Sequence, residues 1–311
     1  MSTVLITMSS FAVHDSSPLK KLQKTDYNLV FNPFKRKLTE KEVIDLIEKH
    51  RPVGIVAGVE PLTRKVLLKA SNLKVISRCG IGLDSIDIDT ARERSIIVTN
   101  TPDAPTRSVA ELTLGMIFSI LRNLPSSDTS IRMGKWVRPM GQLLRGKRVG
   151  LVGCGRIGSC LGKMLLSLDC HVIGYDPFSP PKYFSNQNSL QELLTQSDIV
   201  SLHLPYNQKT HHFINKAQLK IMKRGSFLIN CSRGGLIDEN ALYASLREGH
   251  LAGAALDCFA EEPYDGKLKE LNNVVLTSHI GSYAVEGRIT METEAVNNLL
   301  HELEYPRKGK T

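Results

Sequence analysis

Short apolar runs alternate with stretches of helical period along almost the whole chain. In the first hundred residues Val4–Thr7, Leu29–Phe31, Val53–Ala57, Lys74–Ser77 and Ile96–Val98 predict strands. Thr39–His50, Thr63–Ala70 and Asp87–Arg94 predict helices between them, and Thr39-x-x-Glu42 opens the first with a capping box. The rhythm returns in the second half. Its strands are Arg148–Val152, His171–Tyr175, Ile199–Leu202, Ser226–Asn230, Ala252–Leu256 and Val274–Leu276, and Ser189-x-x-Glu192 and Asp238 start helices. Alternating strand–helix units imply parallel sheets covered on both faces. The fold class expected is therefore α/β, with two doubly wound parallel-sheet domains of Rossmann-like and flavodoxin-like type.

Between the blocks lies Ala104–Asn123, an apolar stretch holding one acid, Glu111. Val109, Leu112 and Met116 share a helical face, and the opposite face is also apolar. Such a helix is expected to be buried on several sides, in the core or against another subunit. A last helical stretch, Ala284–Leu303, follows every strand of the second block and is expected to return to the first. The division predicted is residues 1–103, then 104–284, then the returning helix in 285–311.

Composition changes this picture little. With 311 residues, 41% hydrophobic and 23% charged, the chain reads as an ordinary two-domain globular protein. No apolar run is long enough to span a bilayer, and the N-terminus resembles a first strand rather than a leader, so a cytoplasmic protein is expected. The six cysteines, Cys79, Cys154, Cys160, Cys170, Cys231 and Cys258, form no C-x-x-C pair and read as buried thiols; no metal is expected. The net charge of +9 reads as a solvated basic surface, because lysines and arginines are scattered and aromatics make up only 6%. The densest basic groups are Lys35-Arg36-Lys37 and Arg307-Lys308-Gly309-Lys310. No nucleic-acid or membrane partner is expected.

The first chemical signal is local. Residues 149–158 read Val-Gly-Leu-Val-Gly-Cys-Gly-Arg-Ile-Gly, so Gly153, Gly155 and Gly158 fit G-x-G-x-x-G directly after an apolar strand. A helical stretch from Arg156 follows, then a second apolar run that ends on Asp176, 23 residues after Gly153. Such glycines allow a tight turn, approach of a pyrophosphate to a helix N-terminus, and close helix–strand packing, and the acid can accept from a ribose 2′-hydroxyl. The order points to a bound dinucleotide.

Three later motifs add reactive groups. They are Asn230-Cys231-Ser232-Arg233-Gly234-Gly235-Leu236-Ile237-Asp238, Ala255-Leu256-Asp257-Cys258-Phe259-Ala260-Glu261-Glu262-Pro263 and Thr277-Ser278-His279-Ile280-Gly281. Each follows a strand, and ligands of open parallel sheets bind at strand carboxyl ends.

With these motifs the sequence resembles the D-isomer-specific 2-hydroxyacid dehydrogenase family from about Leu73 to Glu294, most closely its short phosphoglycerate dehydrogenases without a regulatory domain. The resemblance implies a substrate domain, an NAD domain with NAD as cofactor, a cleft between them, and a homodimer formed through the apolar helix after Ala104. It makes Arg233 the clamp on the substrate carboxylate and carbonyl, His279 the acid–base group, and Glu262, rather than Glu261, the acid paired with it. A guanidinium forks two bonds onto a carboxylate, and an adjacent carboxylate stabilises an imidazolium. Asp257 matches the partner of the nicotinamide carboxamide. Cofactor contacts are expected at Ile81, Thr106, Gly153, Gly155, Arg156, Ile157, Gly158, Asp176, Leu204, Pro205, Cys231, Ser232, Arg233, Asp257, His279 and Gly281. Arg78, Cys79, Gly80 and Ile81 resemble the substrate loop, and Arg78 and Arg138 match two phosphate contacts. A third such arginine is replaced within Val56-Ala57-Gly58-Val59-Glu60; Ser278 stands in the place of a proline, and Ser282-Tyr283 in that of a small pair. The substrate implied first is 3-phosphoglycerate, with glyoxylate or hydroxypyruvate reduction as the enzymatic alternative. A dinucleotide-sensing corepressor-like interaction protein is the alternative of another class.

Overall fold

The structure is a computed structural model that describes residues 1–305; the basic group Arg307–Lys310 lies outside the described residues. The chain divides into two compact units. Unit 1 is Met1–Pro105 together with the stretch that begins at Ser282, and unit 2 is Thr106–Gly281.

Unit 1 holds β1 (Thr3–Ile6), β2 (Asn28–Phe31), β3 (Gly54–Ala57), β4 (Val75–Arg78) and β5 (Ile97–Thr99), all parallel, in the order β2-β1-β3-β4-β5. The connecting helices are α1 (Ser17–Gln23), α2 (Glu40–His50), α3 (Arg64–Lys69) and α4 (Ile88–Glu93). The expected capping box is present: Thr39 Oγ1 accepts from Glu42 N–H, and Glu42 accepts from Thr39 N–H. β1, β3 and the start of β4 are buried on both faces, so they read as unbroken apolar runs.

Unit 2 opens with α5 (Thr106–Leu121) and α6 (Leu124–Arg132). Its seven parallel strands are β6 (Arg148–Val152), β7 (His171–Tyr175), β8 (Ser185–Asn186), β9 (Ile199–Leu202), β10 (Phe227–Asn230), β11 (Gly253–Leu256) and β12 (Val274–Leu276), in the order β12-β11-β10-β9-β6-β7-β8. Helices α7 (Arg156–Leu166), α8 (Leu190–Gln196), α9 (Lys216–Ile221) and α10 (Glu239–Arg247) cross between them. Most of the apolar surface of α5 is covered inside its own unit. It packs on α7 and on β10, β11 and β12, with Met116, Ile117, Ile120 and Leu121 in the core, and leaves a narrow stripe of Arg107, Glu111, Gly115 and Phe118 exposed.

The chain then returns through α11 (Val285–Glu304), which packs on β3, β4 and α1 and places Met291, Ala295, Val296 and Leu299 in the unit 1 core. Gly54 in β3 leaves the space for this: a Cβ there would lie 2.8 Å from the Leu299 side chain. Among the described residues no helix is long and apolar enough to cross a membrane. Both sheets thus have a point where strand order reverses, between β1 and β3 in unit 1 and between β6 and β9 in unit 2, and such points mark ligand crevices.

Candidate active site

At the unit 2 switch point the glycines are required for separate reasons. Gly153 has φ +96°, and a Cβ on it would lie 2.4 Å from the His203 carbonyl oxygen beyond β9. A Cβ on Gly158 would lie 2.1 Å from the Gly153 carbonyl oxygen, so glycine alone lets α7 meet β6 this closely. Gly155 is different. It is exposed, and its Cβ position has no atom within 4 Å. Open space at the start of an eleven-residue helix, with Arg156 and Ile157 in its first turn, suits an approaching pyrophosphate. Asp176 follows β7 and ties into the same loop: Oδ2 accepts from Cys154 N–H at 2.8 Å, and Oδ1 accepts from Phe178 and Ser179 N–H at 2.9 Å. Leu204 and Pro205 lie just past β9, and Thr106 begins α5. The residues present fit a dinucleotide.

The loops after β10, β11 and β12 lie side by side because those strands are neighbours. The loop after β10 is braced from within. Asn230 accepts from Ser232 N–H at 3.0 Å and donates to the Arg233 carbonyl at 2.8 Å, and Ser232 Oγ donates to the Leu202 carbonyl at 2.7 Å. A Cβ on Gly234 would lie 1.8 Å from the Phe259 backbone, so glycine lets this loop press against the one after β11. Arg233 is half-buried there, with Nη1 donating to the Ser232 carbonyl at 2.7 Å. Cys231 turns its thiol inward, 3.4 Å from Met116 Sδ of α5, so its side chain is a core contact.

Asp257 has no exposed surface and organises the loop after β12. Its Oδ1 accepts from Thr277 Oγ1 at 2.5 Å and from Ile280 N–H at 2.8 Å, and its Oδ2 accepts from Gly281 N–H at 2.8 Å. The bonds flank His279, which is held at φ +57°, a conformation uncommon outside glycine. His279 Nδ1 lies 2.9 and 3.0 Å from the two oxygens of Glu262. Both side chains are partly open, at 41% for His279 and 37% for Glu262. With Nδ1 committed to the carboxylate, Nε2 is the nitrogen left to exchange a proton with a ligand. Glu261 is exposed and makes no such contact with the imidazole.

In unit 1 the predicted loop is fixed by β5's far end. Gly80 N–H donates to Thr101 Oγ1 at 2.8 Å, Thr101 N–H donates to the Gly80 carbonyl at 3.1 Å, and Asn100 Nδ2 donates to the Ile81 carbonyl at 2.8 Å. Gly80 has φ +140°, and a Cβ there would meet the Arg78 guanidinium. Arg78 is half-buried and donates to the Cys79 carbonyl. Arg138, by contrast, lies in unit 2 within a fully exposed run. The predicted site residues therefore divide between the two units.

Three groups escaped the sequence reading. Glu60 is only 2% exposed, accepts from Thr7 Oγ1 and from Gly58 N–H at 3.1 Å, and so bridges the ends of β1 and β3. Burial pushes its carboxyl above the ordinary value, opposed by the Thr7 bond and the Arg78 charge. His203 bonds Ser201 Oγ through Nε2 at 3.0 Å while its Nδ1 is shut from solvent without a partner; desolvation lowers it to about 4, so it is neutral at physiological pH. Cys258 lies beside the Glu262–His279 pair and donates to the Ser232 carbonyl at 3.3 Å. Burial raises its thiol and, to about 12, those of Cys79, Cys154 and Cys231, so these remain protonated.

Comparison with known proteins gives consistent matches. Residues 114–281 match the sequence profile described as D-isomer specific 2-hydroxyacid dehydrogenase, NAD binding domain. The chain is 41% identical over 259 residues to D-3-phosphoglycerate dehydrogenase of Methanocaldococcus jannaschii, covering 81% of this chain and 49% of that protein. It is 36% identical over 307 residues to hydroxypyruvate reductase of Thermotoga maritima, covering 95% and 99%. A solved protein of Thermus thermophilus superposes with a TM-score of 0.89 at 34% identity, covering 97% of each chain. The chain thus spans about half the length of the phosphoglycerate dehydrogenases it matches and nearly all of the hydroxypyruvate reductase.

Proposed function

Because the chain belongs to the D-isomer specific 2-hydroxyacid dehydrogenase family, we propose that it interconverts a D-2-hydroxy acid and its 2-keto acid with NAD as hydride carrier. One observation carries the reading: the glycine-loop unit also holds His279 against Glu262 at 2.9 Å on a loop clamped by Asp257.

Bound NAD supplies the hydride-accepting nicotinamide. Everything else falls to the chain. Arg233 binds the substrate carboxylate and polarises the carbonyl, with two parallel charge-assisted bonds fixing which atom faces the cofactor. In reduction His279 delivers the Nε2 proton to the developing alkoxide, and in oxidation it removes the hydroxyl proton. Glu262 accepts from Nδ1, fixes the tautomer and stabilises the imidazolium. Asp257 keeps the histidine loop in register. Within unit 1, the Arg78–Ile81 loop offers a guanidinium and turned backbone amides suited to an acidic ligand.

Arg78 and Arg138 support 3-phosphoglycerate and 3-phosphohydroxypyruvate as the substrate pair. A specific observation favours a second reading, glyoxylate or hydroxypyruvate. The stretch Val56-Ala57-Gly58-Val59-Glu60 brings no arginine where the resemblance implies a third, and the Glu60 carboxyl within it lies in the field of Arg78. NADH turnover with the three keto acids, compared by kcat/KM, separates the readings. A severalfold preference for the phosphorylated acid supports the first and its absence supports the second. No turnover with any 2-keto acid would overturn the dehydrogenase reading and leave dinucleotide sensing.

Beside α5, residues 124–143 add the apolar surface through which we propose the homodimer forms. There Leu124, Ile131, Met133, Trp136 and Met140 are exposed, Trp136 at 82% and Met140 at 92%. Trp136→Asp should shift the sedimentation coefficient to that of a monomer; an unchanged value would remove this surface from the interface.

A further inference from the structure

The Cys258 thiol is not used by the proposed hydride chemistry, yet it stands beside the proton-carrying pair. Cys258 Sγ, a Glu262 carboxylate oxygen and a His279 ring nitrogen all lie within 4.8 Å of one another. All three residues belong to unit 2 and to the adjacent loops after β11 and β12. Their type matters as much as their spacing. One sulfur, one nitrogen and one oxygen make a donor set suited to zinc and poorly suited to magnesium or calcium, which prefer oxygen alone.

We propose that Cys258, Glu262 and His279 form an inhibitory site for a thiophilic divalent cation of the Zn²⁺ class, with His279 Nδ1, a Glu262 oxygen and Cys258 Sγ as ligands.

Metal–ligand bonds of about 2.0–2.3 Å in a tetrahedron place ligand atoms about 3.5 Å apart. The Nδ1–Oε2 pair is already at 2.9 Å, and the widest separation in the cluster has at most about 1.3 Å to close, within reach of side-chain rotation. Partial exposure of Glu262 and His279 gives the ion an entry path and leaves its fourth position to water. The Cys258 thiol gives up its proton to solvent and exchanges its bond to the Ser232 carbonyl for the bond to the ion. The ion also displaces the Nδ1 proton held against Glu262: the bound imidazole is neutral with its one proton on Nε2, and any other proton leaves to solvent. The acid–base pair is then occupied, and turnover stops until the ion leaves. The consequence for turnover rests on the dehydrogenase reading; the ion binding does not.

Co²⁺ titration of the purified full-length protein tests the site without an activity assay. The expected result is one equivalent bound with the near-ultraviolet absorption of a thiolate–cobalt bond. Cys258→Val should remove that band and weaken Zn²⁺ binding in equilibrium dialysis at least about tenfold, the low end of the loss seen when even a ligand's supporting group is removed. His279→Gln should weaken it similarly while keeping the fold, and thermal melting of each variant checks that it folds. With NADH and a keto acid, Zn²⁺ should inhibit the wild type reversibly on chelation, Cys258→Val should work normally and resist Zn²⁺, and Mg²⁺ should do nothing. A thiolate band that survives Cys258→Val, or no thiolate band in the wild type, would overturn the site. Zn²⁺ binding by folded Cys258→Val at wild-type affinity would do the same.

Discussion

At the switch point of the seven-stranded sheet the chain places glycine; at that of the five-stranded sheet it places a carboxylate. Gly153 and Gly158 let backbone approach backbone to 2.1–2.4 Å of where a Cβ would stand, while Gly155 keeps its own side open. In unit 1 the matching gap between β1 and β3 is bridged by the hydrogen bond from Thr7 to Glu60. One crevice is built to admit a ligand's phosphates and the other is tied shut by its own side chains. The polar groups differ in the same way: unit 2 holds the His279–Glu262 pair on loops braced by buried Asp257, whereas unit 1 has a half-buried guanidinium, Arg78, beside the turned backbone of Gly80.

The strongest way to break this contrast is to remove the proton carrier. His279→Ala should lower kcat by about a hundredfold or more with little change in NADH affinity. Arg233→Ala should raise KM for the keto acid as well, since it removes ground-state binding along with transition-state binding. Near-native turnover in His279→Ala would return the whole site to a binding role.

Asp257 tests whether bracing matters as much as the reacting group. Asp257→Ala leaves the amides of Ile280 and Gly281 without their acceptor, and misplacing a reacting group by about 1 Å can cost about a hundredfold in rate. Steady-state kinetics should show a kcat loss smaller than that of His279→Ala, together with a lower melting temperature, because unsatisfied buried donors cost about 1–3 kcal/mol each. A variant that keeps full kcat would mean that the histidine loop holds itself.

The fold was legible wherever burial is continuous enough to write an apolar run or stripe into the chain. The capping box at Thr39, the glycine loop and the buried strands all announce themselves, because local chemistry decides them. Helix α6 buries none of its residues, so no apolar stripe marked it; α1 buries only Pro18 and Leu22, and β8 is a two-residue exposed edge. α5 was readable as buried but not what buries it, since α7 and three strands come later in the chain. Within the candidate site, the pairing of His279 with Glu262 was legible from motifs and the groups that brace it were not. Asp257 meets partners 20 to 24 residues away, a matter of strand register. Glu60 looks like a loop acid until β1 and β3 are paired around it, and the Cys258–Glu262–His279 grouping has no recognised ligand spacing.

Asp176 sharpens the account of the open crevice. It receives Cys154 N–H and so shapes the glycine loop, and in the proposed reading it would also accept from the ribose 2′-hydroxyl. Wild-type kcat/KM should favour NADH over NADPH. Asp176→Ala should weaken both cofactors and NADH more, by about ten- to a hundredfold, the range of a lost hydrogen bond to a charged group. Equal values for the two cofactors in the wild type would remove Asp176 as the discriminator.

Glu60→Gln addresses the closed crevice, where the smallest effects are expected. The amide keeps an acceptor for Thr7 and Gly58 but cannot ionise. Burial holds the Glu60 carboxyl above its ordinary value of 4.5, so the sign of the pH dependence follows. Below that ordinary value folded and unfolded chains both carry the proton, and the residue's contribution to stability is fully present. As pH rises from there through the folded value, the unfolded chain ionises first and that contribution is lost. The melting temperature of Glu60→Gln minus that of the wild type should therefore grow across this window and level off above it. A difference that is flat with pH would mean that the carboxyl is not displaced. Where the wild-type carboxyl is ionised it also shares the Arg78 charge, which a phosphate dianion would need. The ratio of kcat/KM for 3-phosphohydroxypyruvate over hydroxypyruvate should then rise about three- to tenfold in Glu60→Gln, the effect of roughly 0.7–1.4 kcal/mol between partly screened charges. A ratio unmoved by the substitution would detach Glu60 from substrate choice and leave it the tie that closes the sheet.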